Sequence, residues 1–201
     1  MAFPYSLTTT LQQKEWWLQL EPQWQRVFQE AFFRHLGIPT EEELATLCST
    51  TVLRLAGPTA PHPNTYVELT NLSGVSQLTH LQILIVVHHQ LDSLKEIEPL
   101  TQINKLFVNN NAITSLEGVE KLHQLEQIYC QANKISSLKP LEKLKNLKEA
   151  YVCLNELTSL EGLTKQHSKN LKNLYCLPNE HLPQKEILRV ERQLSIRCLR
   201  G

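Results

Sequence analysis

From Leu78 onward, apolar side chains recur in a fixed rhythm. Leu78, Leu81, Leu84, Val86, Leu91, Leu94, Ile97 and Leu100 are separated by steps of 3, 3, 2, 5, 3, 3 and 3. The same steps run from Leu100 through Ile103, Leu106, Val108, Ile113, Leu116 and Val119 to Leu122, and again to Leu144. A fourth copy follows through Leu147, Ala150, Val152, Leu157, Leu160 and Leu163. The period is 22 residues, and it lengthens to 24 between Ala150 and Leu174, near Lys165–Asn170. A step of two predicts a strand, because alternate side chains share a face. Steps of three suit a 3₁₀-like return path, in which i and i+3 eclipse. Each turn is thus one short strand, a corner and a return. No turn can bury its leucines alone, so the turns must stack around one continuous core.

The corner carries His89, Asn111, Asn133, Asn155 and Asn179. A side-chain amide there can satisfy backbone groups that a tight bend would orphan. That predicts a structural ladder, with a ligand-binding amide row as the other reading.

These positions resemble the leucine-rich-repeat superfamily, pattern LxxLxxLxLxxNxLxxLxxL. The 22-residue period is similar to the class in bacterial internalins and in a eukaryotic protein-phosphatase regulator. The clean match runs from Leu78 to Leu163, with looser turns from about Leu44 to Leu199. The resemblance implies an α/β solenoid: a curved, right-handed superhelix with a parallel concave sheet of about seven strands. It also implies partner binding on the concave side, without naming the partner.

The first 50 residues do not repeat, and are predicted to be a helical cap. Pro22 suits a first helical turn. Trp24, Val27, Phe28, Ala31 and Phe32 follow at helical spacing, with Gly37 placed to end the helix. An earlier helix is expected from about Thr9 to Gln19. Its tandem Trp16–Trp17 cannot share one face, so one is expected partly exposed. The tryptophans of the cap read as an end seal, or alternatively as a docking site. Thr40 and Glu43 form a capping-box pattern before Leu44 and Leu47. The repeats span 51–183, with the first strand at about Val52–Leu55. An insertion at 57–66, rich in proline, lengthens the first turn; it reads as a ligand-touching loop or as a tolerated surface insertion. A capping turn occupies 184–201. There a short helix precedes a seventh strand in SIRCL, whose Ile196 and Cys198 are expected opposite Leu174 and Cys176.

Composition narrows the function. Lysine plus arginine equals aspartate plus glutamate, at 20 each. A nucleic-acid binder needs basic excess to neutralise phosphates, so no nucleic-acid partner is expected. The first residues show no basic and apolar signal pattern, and no apolar run reaches membrane-span length, so no membrane partner is expected. Five sparse cysteines fit reduced thiols, and a cytoplasmic location is the expectation. The histidines show no ligand spacing, and no CxxC occurs, so no metal or other cofactor is expected. Cys130, Cys176 and Cys198 fall at inward positions, and Cys153, expected on the concave face, has no histidine beside it. Nothing resembles a phosphate-cradling glycine loop. The chain is read as a non-enzyme.

One pattern stands out. The residue between the two inward strand positions must face the concave surface. Turn by turn it is Arg54, Ile85, Phe107, Tyr129, Tyr151, Tyr175 and Arg197. One flank holds Lys105, Gln127, Glu149 and Asn173; the other holds Val87, Asn109, Gln131, Cys153 and Leu177. Aromatic anchors ringed by hydrogen-bonding groups have the composition of an interface. The expected function is therefore binding of an unknown protein or peptide on this face. The alternatives are a glycan or small ligand along the tyrosines, or plain cross-strand packing that stiffens the sheet.

Overall fold

Among the described residues, seven short strands form one parallel sheet in sequence order. They are β1 (Val52–Ala56), β2 (Ile83–Val87), β3 (Lys105–Phe107), β4 (Gln127–Tyr129), β5 (Glu149–Tyr151), β6 (Asn173–Leu177) and β7 (Arg197–Arg200). The structure is a computed structural model that describes residues 7–201, so the expectation for the leader region falls partly outside the described residues. Leu84, Leu106, Ile128, Ala150 and Leu174 stand in one register row, all fully buried. Behind the strands, short 3₁₀ turns at Ser73–Val75, Lys95–Ile97, Lys139–Leu141 and His167–Lys169 serve as return segments. The leucines of both sides meet in one core.

Alternate return segments are built differently. Lys95–Ile97 and Lys139–Leu141 are 3₁₀ turns, whereas Gly118 and Gly162 adopt φ of 104° and 105°. A Cβ at Gly118 would lie 2.2 Å from the Leu94 carbonyl oxygen, and one at Gly162 equally near that of Leu138. Gly118 and Gly162 are 44 residues apart, twice the repeat, so over this stretch the structural unit is a pair of turns. Ion pairs tie the two kinds of turn together: Lys95 to Glu117 at 2.8 Å and Lys139 to Glu161 at 3.3 Å. These pairs are exposed, so each contributes little.

The helices are α1 (Thr10–Gln19), α2 (Pro22–Phe28), α3 (Glu41–Ser49) and α4 (Gln184–Leu194). Thr9 with Gln12, and Thr40 with Glu43, make complete capping boxes. The end of α2 departs from expectation. It continues as a π turn over Gln29–Phe33, and Arg34 in the left-handed region (φ 61°) ends it, ahead of Gly37. Both tandem tryptophans are buried, at 3% and 5% exposure for Trp16 and Trp17. The expectation of one exposed ring assumed a single packing face. Instead Trp16 meets Phe28 at 5.8 Å, Trp17 meets Phe33 edge-on at 5.6 Å, and Gln25 donates to the Trp17 carbonyl. Trp24 seals the solenoid end. It lies so close to Gly74 that any Cβ there would fall 2.2 Å from its Cδ2, and its indole N–H donates to Asn71.

The closing strand is the third correction. Cys198 pairs with Leu174 and Leu199 with Tyr175, two residues later than the expected alignment. The helix α4 and its left-handed cap Ser195 take up extra chain before the strand begins, and the register breaks again between Tyr175 and Leu177.

Candidate functional site

The strand register fixes which side chains share the concave column. Arg54, Ile85, Phe107, Tyr129, Tyr151 and Tyr175 follow one another strand by strand. Leu199 ends the column, and Arg197 moves to the flank beside Asn173. Parallel strands about 4.8 Å apart bring the rings into contact. Centroids lie 4.7 Å apart for Phe107–Tyr129, 4.4 Å for Tyr129–Tyr151 and 4.0 Å for Tyr151–Tyr175, the last pair being parallel within 3°. The four aromatic residues are half-buried, since each ring shields its neighbour's face.

Burial and the neighbouring Glu149 carboxylate push the Tyr129 phenol well above its ordinary range. Burial and Tyr175 push Tyr151 up to about 12. Both phenols therefore stay protonated at neutral pH and can donate as well as accept. On the flank, Lys105, Gln127 and Glu149 are half-buried, and Gln127 Nε2 donates to Glu149 Oε2 at 2.9 Å. On the other flank Asn109 and Gln131 are half-buried; the Gln131 Oε1 atom is buried without a partner among the described residues.

The Cys153 thiol lies on this side, the face expected for it, with an exposure of 1%. The chain end folds over it: the Gly201 N–H donates to the Leu177 carbonyl, and a Cβ on Gly201 would stand 2.9 Å from Cys153 Sγ. All five cysteines are free thiols. Burial pushes Cys48 and Cys130 up to about 12, and raises Cys153, so these sulfurs are protonated and packed.

At the other end of the column the Arg54 guanidinium donates to the His62 carbonyl at 2.6 Å. The 57–66 insertion is thereby tied to the concave rim. Asn64 secures it, accepting from Ala56 N and donating to Arg54 O.

The corner amides run beneath this surface. Asn133 donates to the carbonyls of Val108 and Cys130 and accepts from Ile113 N. Asn111 serves Val86, Val108 and Leu91 in the same way. Asn155 serves Cys130, Val152 and Ile135, and Asn179 serves Val152, Cys176 and Leu157. Their amide groups are spent on backbone. The residue before four of the five corner positions turns the corner with positive φ: His88 before His89, and Asn110, Ala132 and Leu154 before Asn111, Asn133 and Asn155; Pro178 precedes Asn179 without it. Sequence periodicity did not single out this row, since only Asn110 is a residue that favours it.

In the first corner His89 replaces asparagine. Its Nδ1 accepts from Leu69 N at 3.1 Å, and burial holds its pKa down at about 4 against an ordinary 6.5. The neutral ring is what the fold binds. Its stabilising contribution is complete above pH 6.5 and is lost as pH falls through that value toward 4. His89→Asn should keep the corner and flatten this part of the stability–pH curve, as thermal melts across that window would record. A slope unchanged by the substitution would assign the pH dependence elsewhere.

Among the described residues no His, Cys, Asp and Glu group could hold a metal ion, and no helix is long and apolar enough to cross a membrane.

Residues 101–144 match a family of leucine-rich repeats in two copies. Among solved structures, an internalin from Listeria monocytogenes (InlF) superposes with a TM-score of 0.65 at 22% identity, over 79% of this chain and 43% of that one. A leucine-rich-repeat protein of Leptospira interrogans gives 0.58 at 26%, over 86% and 49%. Internalin C2 of Listeria monocytogenes gives 0.51 at 24%, over 61% and 50%. The chain spans at most half the length of these proteins. Comparison with curated protein sequences gives no match.

Proposed function

We propose that this chain, an internalin-like leucine-rich-repeat protein, is a binding module that engages a protein or peptide on its concave sheet. The observation that carries the reading is the stacked column Phe107–Tyr129–Tyr151–Tyr175, flanked by Lys105, Gln127, Glu149, Asn109 and Gln131. The rings are already in contact with one another before any partner arrives. Ordering costs on binding are correspondingly small, which is what makes central aromatics effective anchors. The protonated phenols and the Gln127–Glu149 pair supply directional contacts around them. A protein partner would cover about 800 Å² on this side. No cofactor, metal or nucleic acid enters the proposal, and the free, largely buried thiols fit a reducing cytoplasm.

Capture from native cytosol tests the reading, with the wild type set beside a Tyr129→Ala/Tyr151→Ala variant. The expected result is a protein retained by the wild type and lost from the variant. In parallel, oligosaccharides are titrated against tyrosine absorbance. Saturable perturbation by a glycan, with no protein retained, would replace the protein-binding reading with a glycan-binding one.

A further inference from the structure

β1 is the first strand of the sheet, so among the described residues one of its edges has no strand beside it. Its ladder to β2 uses alternate residues: Ile83 N donates to Thr51 O and Gly57 N to Val87 O. The alternation turns the backbone of Val52, Arg54 and Ala56 toward the open edge. Asn64 closes that edge at Ala56 N and Arg54 O, and Thr50 Oγ1 donates to Val52 O. Among the described residues, the N–H groups of Val52 and Arg54 have no acceptor. Unpaired edge donors are a template for another strand.

A groove of about 670 Å³ runs along this stretch, between the π turn of the cap and the Pro63–Tyr66 loop. Phe32, Leu36, Val52 and Tyr66 line it, and the last three are 59%, 48% and 81% exposed. Arg34 and Arg54 also line it, and neither makes an ion pair among the described residues. The nearby carboxylates are engaged. Glu30 takes Arg26, Thr65 Oγ1 and Tyr66 N, while Glu43 takes His35. The groove thus presents apolar side chains with two unneutralised guanidinium groups. Its wall is also where the cap backbone is least regular, a π turn followed by a left-handed arginine. Such departures cluster at functional sites.

We infer that this edge takes a short extended segment of an acidic partner protein, added as a strand beside β1. Val52 N–H and Arg54 N–H donate to carbonyls of the added segment. Apolar side chains of the segment settle against Phe32, Leu36 and Tyr66. Acidic ones alternate with them and pair with Arg34 and Arg54. The segment is short, because Asn64 already occupies the edge at Ala56. This surface shares Arg54 with the head of the concave column, where its guanidinium also donates to the His62 carbonyl, but none of the four stacked aromatic residues, so the two can be tested apart.

The probe is a short fluorescent peptide of alternating glutamate and valine, titrated against the full chain by polarisation. It should bind saturably. The same peptide is also N-methylated on alternate residues, in either phase; the phase that faces β1 puts methyl groups beside the carbonyls that face β1 and keeps them from the edge. In that phase it should bind about tenfold or more weakly, as should a peptide with lysine for glutamate. Arg34→Glu should weaken the glutamate peptide to a similar degree. Val52→Pro removes a donor the β1–β2 ladder does not use, and should abolish binding while the protein melts near the wild type. The Tyr129→Ala/Tyr151→Ala variant should bind the peptide as the wild type does. Absence of saturable binding, or undiminished binding of the N-methylated peptide in both phases, overturns the inference; the latter comparison needs no variant to fold. Light scattering that finds a concentration-dependent dimer removed by Val52→Pro would give the edge to a second copy of the chain, and overturn it likewise.

Discussion

Gly162→Ala should destabilise the protein by about 3–5 kcal/mol, the sum of a disfavoured positive φ and a backbone clash. The added methyl carbon would fall 2.2 Å from the Leu138 carbonyl oxygen and 2.8 Å from Lys139 N. Both are main-chain atoms of the preceding turn, so no side chain can swing aside. Relief requires the two return segments to move apart, which opens the core at Leu138, Leu160 and Leu163. The melting temperature should drop by roughly 10 °C, given about 2–4 °C per kcal/mol for a chain of this size. Gly37→Ala is the control. Its new methyl would meet only the imidazole of His35, at 3.3 Å, in an exposed loop. It should change stability by less than about 0.5 kcal/mol. Equal melting of the two variants would contradict the pairing of turns described above.

Asn155→Ala should cost about 3 kcal/mol, since several buried backbone groups lose their partner at once. The amide of Asn155 donates to Cys130 O at 3.0 Å and to Val152 O and Cys153 O at 3.2 Å, and its oxygen accepts from Ile135 N at 2.9 Å. These groups belong to two turns, so the loss is felt across the β4–β5 junction. Asn155→Asp keeps the acceptor and removes the donors, and should fall in the same direction. Chemical denaturation measures both. A variant that unfolds at the wild-type midpoint would mean that the corner amides are dispensable to the fold.

The solenoid was legible because its core is written as a period. The strand rows Leu106–Ile128–Ala150 and Phe107–Tyr129–Tyr151 follow from counting by 22. Where the period is broken, counting failed for physical reasons. Counting sets Ile196 opposite Leu174, two residues before its actual partner Cys198, because α4 and the left-handed Ser195 absorb chain without adding a repeat position. Helical spacing allowed one buried face for α1, but a helix packed on two sides buries both Trp16 and Trp17. The burial of Cys153 depends on Gly201, a contact between sheet face and chain end that no local pattern encodes. The alternation of glycine turns with 3₁₀ turns is present in the sequence as Gly118 and Gly162, 44 residues apart; Gly74 falls at the same interval but sits in a 3₁₀ turn against Trp24, so a search at twice the period finds the glycines and not their conformation.

The concave column was also legible, but its tightness was not. Side-chain alternation places Tyr129 and Tyr151 on the surface; only the twist and spacing of the strands bring the rings to 4.4 Å and 4.0 Å. Stacking of this kind contributes about 0.5–1.5 kcal/mol per pair beyond area burial. Truncating Tyr151, which has a ring on each side, should therefore cost about 1–3 kcal/mol.

That stability cost sets the form of the most direct test of the binding-face reading. The measurement is affinity per folded molecule for a captured partner, by titration at a temperature where wild type, Tyr129→Ala and Tyr151→Ala are all folded, with melts of the same samples. If the column is a binding face, each truncation should weaken binding by about 2 kcal/mol or more, very roughly thirtyfold, even when every molecule is folded. Lower melting temperatures with unchanged affinity per folded molecule would contradict it, and would leave the stacked rings as sheet packing alone.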